Sequence, residues 1–319
     1  MPSTTLVALI LSSLSVATLI EATQVHWPLD PSNTIWDGRI PSWMDLDDFD
    51  SPTLSPYNET HVHGYRNWSD YLRLPTNVKR SLFDYEHGTV PLEVTVDDTS
   101  LFLSGGENLQ YGFRRSELNP VSNNGTDDHF VDGKRTIHFS VRADDKRPLD
   151  FTHEYQNVFL ETNAYDAHQF TLKTGTPYDN STSINSSAVT ATQTLRIESG
   201  TNAGVVEKTL FETEYSGGTW HNFAVELDFD ANTLAAYYSK DYANLELVVP
   251  ATANNNSGGG LYHFGIIKLP ASGTGNGSVP FSGYQPSNIA EGQIYGGIFI
   301  EDTSERALKT GVWTSGYVF

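Results

Sequence analysis

The feature that most constrains this chain is a series of short runs in which apolar and polar residues alternate, with almost no helical periodicity. Leu92, Val94 and Val96 alternate with Glu93, Thr95 and Asp97, and Thr136 to Val141 repeats the pattern. Further runs lie at Asp166 to Lys173, Ala191 to Glu198, His221 to Phe229, Thr233 to Ser239, Leu245 to Val249, Tyr262 to Leu269 and Ile294 to Ile300. An extended chain turns successive side chains to opposite faces, so each run can bury one face and wet the other. Clusters of Gly, Asn, Ser and Asp separate the runs at the spacing of an all-β sandwich. Two antiparallel sheets packed face to face as a jelly roll, with one concave face left open as a groove, are therefore expected. Segments 119–133, 174–187 and 251–260 read as insertions between strands, and one domain is expected over residues 23–319.

The first 22 residues stand apart from that pattern. Leu6 to Ile20 is apolar apart from Ser and Thr and is followed by Glu21 and Ala22, so residues 1–22 read as a secretory signal peptide, too short to span a bilayer comfortably. Seven Asn-x-Ser/Thr sequons, at Asn58, Asn67, Asn124, Asn180, Asn185, Asn255 and Asn276, agree with a secreted, extracellular glycoprotein. With no cysteine, such a chain draws its stability from a core alone, and thiolate metal sites and a cysteine nucleophile are excluded. A net charge of −20 argues against nucleic acid, anionic membrane surfaces and polyanionic polysaccharides as partners. The expected ligand is neutral, no cofactor is expected, and the chain is read as a monomer.

Residues 23–89 are rich in Trp, Pro, Asp and Tyr without sustained periodicity and read as an ordered wrapping segment of short strands and turns. Asp45, Asp47, Asp48 and Asp50 cluster there, but at a spacing unlike a calcium loop. His61 and His63 give the one His-x-His spacing, in irregular chain, so no metal site is expected.

Three polar clusters can carry chemistry. In Gly112-Phe113-Arg114-Arg115-Ser116-Glu117-Leu118, strand parity puts Tyr111, Phe113, Arg115 and Glu117 on one face, where the guanidinium can set the state of the carboxylate. Such a face suits a sugar, polar at its rim and flat and apolar on its sides. Glycoside hydrolysis commonly uses two carboxyl groups, so Glu117 needs a partner from another strand. The run 151–161 offers Glu154 and Glu161. By parity Glu154 ranks with Gln156 and Val158, and Glu161 with His153, Tyr155, Asn157 and Phe159, so the two cannot share a face. Gln156, able to bond a sugar hydroxyl, favours Glu154, with Glu161 the alternative. His153, Tyr155 and Gln156 are the substrate-binding candidates there. The third cluster, Trp220-His221-Asn222-Phe223, offers a ring for stacking and an imidazole, although His221 falls on the apolar side with Phe223 and Val225.

Six blocks together resemble glycoside hydrolase family 131. They are Asp37-Gly38-Arg39-Ile40-Pro41, the 112–118 block, Arg147-Pro148-Leu149 with Thr152-His153-Glu154-Tyr155, Thr174-Gly175-Thr176-Pro177, Trp220-His221-Asn222-Phe223 and Tyr295-Gly296-Gly297-Ile298-Phe299-Ile300-Glu301-Asp302. The resemblance implies a fungal secreted β-glucanase on a β-jelly roll, acting on β-1,3-, β-1,6- and β-1,4-linked glucans of plant or fungal cell walls with an inverting outcome and two groove glutamates. Glu117 matches the first glutamate, and Glu154 the second through the His-Glu-Tyr block, with Glu161 still open. A jelly-roll polysaccharide lyase using His153 and Tyr155, and a lectin-like glucan-binding protein, are the alternatives.

Overall fold

The computed structural model describes residues 33–58, 63–85, 87–121, 127–179, 191–275 and 277–304. In chain order its elements are β1 (Thr34–Asp37), β2 (Ile40–Pro41), β3 (Leu72–Arg73), α1 (Leu82–Tyr85), β4 (Thr89–Val90), β5 (Leu92–Asp97), β6 (Leu103–Ser104), β7 (Asn108–Leu109), β8 (Arg114–Leu118) and β9 (Lys134–Ala143). They continue with β10 (Glu154–Glu161), β11 (His168–Gly175), β12 (Thr194–Ser199), β13 (Thr209–Glu214), β14 (His221–Asp228), β15 (Thr233–Lys240), β16 (Glu246–Ala253), β17 (Leu261–Lys268) and β18 (Ala290–Asp302). Two sheets hold most of them. One runs β16-β15-β14-β9-β18-β5-β3, with β1 also on β18, and the other runs β13-β12-β11-β10-β17-β8. Every pairing between these strands is antiparallel, giving the expected all-β jelly-roll sandwich.

Alternation builds the core. Val94 and Val96 of β5, Ile137, Phe139 and Val141 of β9, and Phe223, Val225 and Leu227 of β14 point inward from the larger sheet. Leu160 of β10, Phe170 and Leu172 of β11, Leu195 and Ile197 of β12, and Tyr262, Phe264 and Ile266 of β17 meet them from the smaller one. Each such side chain contributes roughly 1.5–3 kcal/mol by leaving water. The larger sheet's outer face is covered: Phe83 of α1 packs with Ala224, Leu245 and Phe299, and the Trp220 indole N–H donates to Lys79 O at 2.9 Å.

The wrapping segment forms the short strands β1 to β4 and single 3-10 turns. Its acidic cluster is used locally: Asp48 accepts from the Asp45 N–H at 2.9 Å, and Asp50 accepts from the Ser69 hydroxyl at 2.6 Å and amide at 3.1 Å.

One irregularity decides the site. β10 carries a bulge between Gln156 and Val158 in its pairing with β11, so Asn157 has no opposite residue. Asn157 and Val158 consequently both point inward, the first donating from Nδ2 to Gln293 Oε1 of the other sheet at 2.9 Å and the second entering the core. The Tyr295 hydroxyl pins the same bulge by donating to Asn157 O at 2.9 Å. Beyond the bulge, parity is reversed.

Candidate active site

The reversal places Glu154, Gln156, Phe159 and Glu161 on one face, the outer face of the smaller sheet, and corrects the expectation that Glu154 and Glu161 are on opposite faces. Tyr155, Val158 and Leu160 are the inward set. Arg115 and Glu117 of β8 share that outer face, as i,i+2 spacing requires, with the inward Ser116 and Leu118 between and after them. On β17, Tyr262, Phe264 and Ile266 point into the core, which turns His263, Gly265 and Ile267 outward. Gly265 stands directly across from Glu117, where a Cβ would collide with Ser116 O and the Glu117 Cα.

Glu117 is fully buried, and both its oxygens are engaged. Arg115 Nε and Nη2 donate to Oε1 and Oε2 at 2.6 and 2.9 Å, and His263 Nδ1 donates to Oε2 at 2.6 Å. Arg115 is fixed in turn by donating from Nη1 to Gln110 Oε1 at 3.0 Å and by the Phe102 ring, 5.3 Å from its guanidinium carbon. The other imidazole nitrogen, Nε2, lies 3.5 Å from Glu161 Oε2, and Phe159, opposite His263 in register, stacks on the ring at 4.3 Å and 8°. A carboxylate, an imidazole and a second carboxylate thus form a line. Its inner end is sealed, and at its outer end the Glu161 side chain keeps 20% of its surface exposed.

The electrostatics follow from this order. Burial pushes the Glu117 carboxyl up, but the Arg115 charge and then the His263 contact outweigh it and hold Glu117 below the usual carboxylate range. Glu161 is lowered the same way: burial raises it, and His263, then Arg115, overcome that. Burial lowers His263, yet its hydrogen bonds and attraction to Glu117 and Glu161 bring it out above an ordinary imidazole. The proton of this line therefore sits on His263. Neighbouring His168, 4.8 Å from the Phe159 ring, is pushed down to about 4 by burial and is neutral. Among the described residues no group of three His, Asp or Glu side chains has the arrangement of a metal site.

Glu154 lies on the same face in a different setting. Lys173 Nζ approaches Oε1 at 3.4 Å, Arg196 Nη2 approaches Oε2 at 3.3 Å, and the Tyr178 N–H donates to Oε2 at 3.0 Å. Lys173 also donates to Glu207 at 2.6 Å, and Arg196 Nε to Glu198 at 3.2 Å. A carboxylate so saturated with cations is a structural anchor. Gln156 stays half-buried on the outer face, opposite Ile267.

Four other expected substrate contacts lie elsewhere. Tyr155 points into the sandwich, where its hydroxyl donates to Glu291 at 2.8 Å and accepts the Asp150 N–H at 2.8 Å. His153 is buried with Nδ1 2.8 Å from Leu269 O. Trp220 and His221 belong to the other sheet: Trp220 is buried, and His221, fully buried, meets the Tyr238 hydroxyl at 2.9 Å and is pushed down to about 4 by burial. Inward parity with Phe223 is the physical reason for His221, and the cover on the outer face, where its indole bonds Lys79 O, is the reason for Trp220. Of the sequons, Asn67 is exposed and Asn58 and Asn255 are half-buried, while Asn124, Asn180, Asn185 and Asn276 lie outside the described residues.

His263 was missed in the sequence. Its signal was present, since it is the one imidazole in the run Tyr262 to Leu269, on the face opposite Tyr262, Phe264 and Ile266. Nothing in that run, however, pairs it with Glu117, 146 residues away.

Comparisons with known proteins give the family and the fold. Residues 34–305 match the Glycoside hydrolase 131 catalytic N-terminal domain. The chain is similar to a GH131 β-glucanase catalytic domain from Podospora anserina at 25% identity and a TM-score of 0.62, over 85% of this chain and 96% of that one. It shares its fold with the catalytic domain of a family 131 protein from Coprinopsis cinerea, at 24% identity and a TM-score of 0.60, over 85% and 94% of the two chains. None of the curated proteins compared with it matches.

Proposed function

The chain belongs to glycoside hydrolase family 131 and is a glycoside hydrolase, and from that premise we propose that it is secreted and hydrolyses a neutral β-glucan of plant or fungal cell walls, with Glu117, His263 and Glu161 handling the proton. The observation that carries the residue assignment is the line of three groups with one open end. Glu161 faces the substrate and relays the proton held on His263 to the departing glycosidic oxygen as the C–O bond breaks. The attacking water bonds the anomeric carbon and gives its proton to solvent, and a proton from solvent restores the imidazolium through Glu161. Glu117 and Arg115 act behind it: the buried carboxylate orients the imidazole and stabilises its charge, as a carboxylate does in a hydrolase triad. Glu161 thus replaces Glu154 as the partner of Glu117.

We take the outcome to be inverting, as the resemblance to family 131 implies: a water attacks the anomeric carbon from the face opposite the departing oxygen. Glu117, sealed behind His263, does not reach that water. Freshly released reducing ends should then have the α configuration by proton NMR, and β ends would remove inversion.

The test of the function is product release from laminarin, pustulan and a soluble β-1,4-glucan by wild type and by Glu161→Gln, Glu117→Gln and Glu154→Gln, each checked for folding. Hydrolysis that Glu161→Gln and Glu117→Gln abolish, and that Glu154→Gln weakens far less, is the expected result. Unsaturated products absorbing in the ultraviolet would establish a lyase instead, and binding without product a lectin-like role.

A further inference from the structure

Beside the proton-handling line runs an apolar strip that hydrolysis itself does not require. Phe159, the ring beneath His263, packs with Ile267 and Leu269, and on these lie the half-buried rings of Phe113 and Tyr178. Phe113 enters from the start of β8, two residues before Arg115. Tyr178 enters from the segment after β11. That segment is pinned at each step: the Thr176 N–H and hydroxyl donate to Phe151 O at 3.1 and 2.7 Å, the Tyr178 N–H to Glu154 at 3.0 Å, and the Asp179 N–H to the Ser272 hydroxyl at 3.1 Å. The Gly273 N–H closes the strap by donating to Asp179 O at 2.9 Å.

Resting on the hydrolase reading above, we propose that Phe113 and Tyr178 form a stacking platform for a glucose ring of the β-glucan chain away from the scissile bond, and that Glu154 positions it. The strip is continuous with the reacting groups through the Phe159–His263 stack, so a chain lying on Glu161 is carried onto it. Pyranose rings present flat C–H faces that aromatic rings cover, with hydroxyls at the rim. Gln156, opposite Ile267 in register and half-buried, supplies a rim amide to those hydroxyls. The ion cluster around Glu154 thereby acquires a role. Lys173 and Arg196 lock its carboxylate, which then fixes the backbone that carries Tyr178. The platform selects for substrates long enough to reach it, and its occupant is uncharged.

The experiment uses the full chain and end-labelled β-gluco-oligosaccharides of increasing length, in the linkage that wild type cleaves. Tyr178→Leu keeps apolar packing but loses the flat face. It should raise KM by about 3- to 10-fold on long oligosaccharides and redistribute cleavage among the bonds, a readout that loss of stability alone does not move. Tyr178→Phe should restore both. Glu154→Gln should shift the cleavage pattern in the same sense, and the double variant should add little to either single change. A Tyr178→Leu enzyme with wild-type KM and cleavage pattern, or a Tyr178→Phe enzyme as impaired as Tyr178→Leu, overturns the platform. An additive double variant overturns the role of Glu154. Failure of the hydrolase reading looks different: wild type releases nothing from any β-glucan.

Discussion

The two sheets carry the same small motif on their outer faces, a buried histidine stacked flat on a phenylalanine and bonded to a glutamate from the neighbouring strand. On the larger sheet His138 stacks on Phe299 at 4.3 Å and 4°, with Nε2 2.8 Å from Glu301. On the smaller sheet His263 stacks on Phe159 at the same distance and 8°, with Nδ1 2.6 Å from Glu117. What differs is the surroundings. His138 is roofed by Phe83 of α1, edge-on at 5.5 Å, and Arg39 closes over Phe299 at 4.9 Å. His263 instead has Arg115 behind its glutamate and a second, partly exposed carboxylate, Glu161, at its far nitrogen. A histidine–glutamate pair by itself is a packing device. In the function proposed above it becomes chemistry where one end of the line opens and a cation behind it fixes the charge.

The largest expected effect separates the two motifs. Glu161→Gln should lower kcat on β-glucan by about 10²–10⁴-fold at a smaller cost in stability than breaking a sealed pair, because the side chain keeps 20% of its surface exposed. Glu301→Gln should do the reverse, leaving kcat per folded molecule intact and costing stability through a broken buried pair, up to about 3–5 kcal/mol if that pair is ionised. A Glu301 variant that fell in kcat as far as the Glu161 variant would erase the distinction drawn here.

Glu117→Gln should combine both effects. It leaves Arg115 buried without its counter-charge, a loss of about 3–5 kcal/mol in denaturant unfolding, and it removes the group that holds the proton on His263. Glu117→Gln should therefore also change the shape of the pH–rate profile, and so should Arg115→Leu, which frees Glu117 from the charge that keeps it ionised. Arg115→Leu with a wild-type profile would confine Arg115 to packing.

Much of this difference was legible in the sequence up to the level of the strand. The runs at 92–97, 136–141, 221–229, 233–239 and 262–269 are strands β5, β9, β14, β15 and β17 within a few residues, because period-two alternation is written by burial. Arg115 and Glu117 were paired correctly because two residues of regular strand need no further information. Glu154 and Glu161 were put on opposite faces because one residue, Asn157, is inserted against β11, and what holds it in place is Gln293 and Tyr295 on another sheet. Parity arguments fail at a bulge, and a bulge pinned by tertiary contacts has no local signature. Trp220 and His221 were read as sugar contacts for their chemistry, whereas their strand lies in the sheet whose outer face α1 covers. The roles proposed for His263 and Tyr178 were invisible for the complementary reason: each rests on partners far along the chain.

The smallest expected effect is in the pH dependence of stability, where the sign is fixed by the directions of the shifts. His263 is raised by its partners, so its contribution is fully present below its ordinary value of 6.5 and is lost as pH rises through the higher folded value. Glu117 and Glu161 are lowered, so theirs is fully present above their ordinary value of 4.5 and is lost as pH falls through the lower folded values. The line is thus most stabilising between 4.5 and 6.5. The unfolding free energy of wild type minus that of His263→Gln should be flat and largest across that window and decline on both sides, by no more than about 1.4 kcal/mol per pH unit for each proton exchanged. A difference that rose across the window and levelled off above it would mean that His263 is neutral in the folded enzyme. The proton would then have to come from Glu161 alone, and the open end of the line, with no imidazolium behind it, would be the whole of the acid.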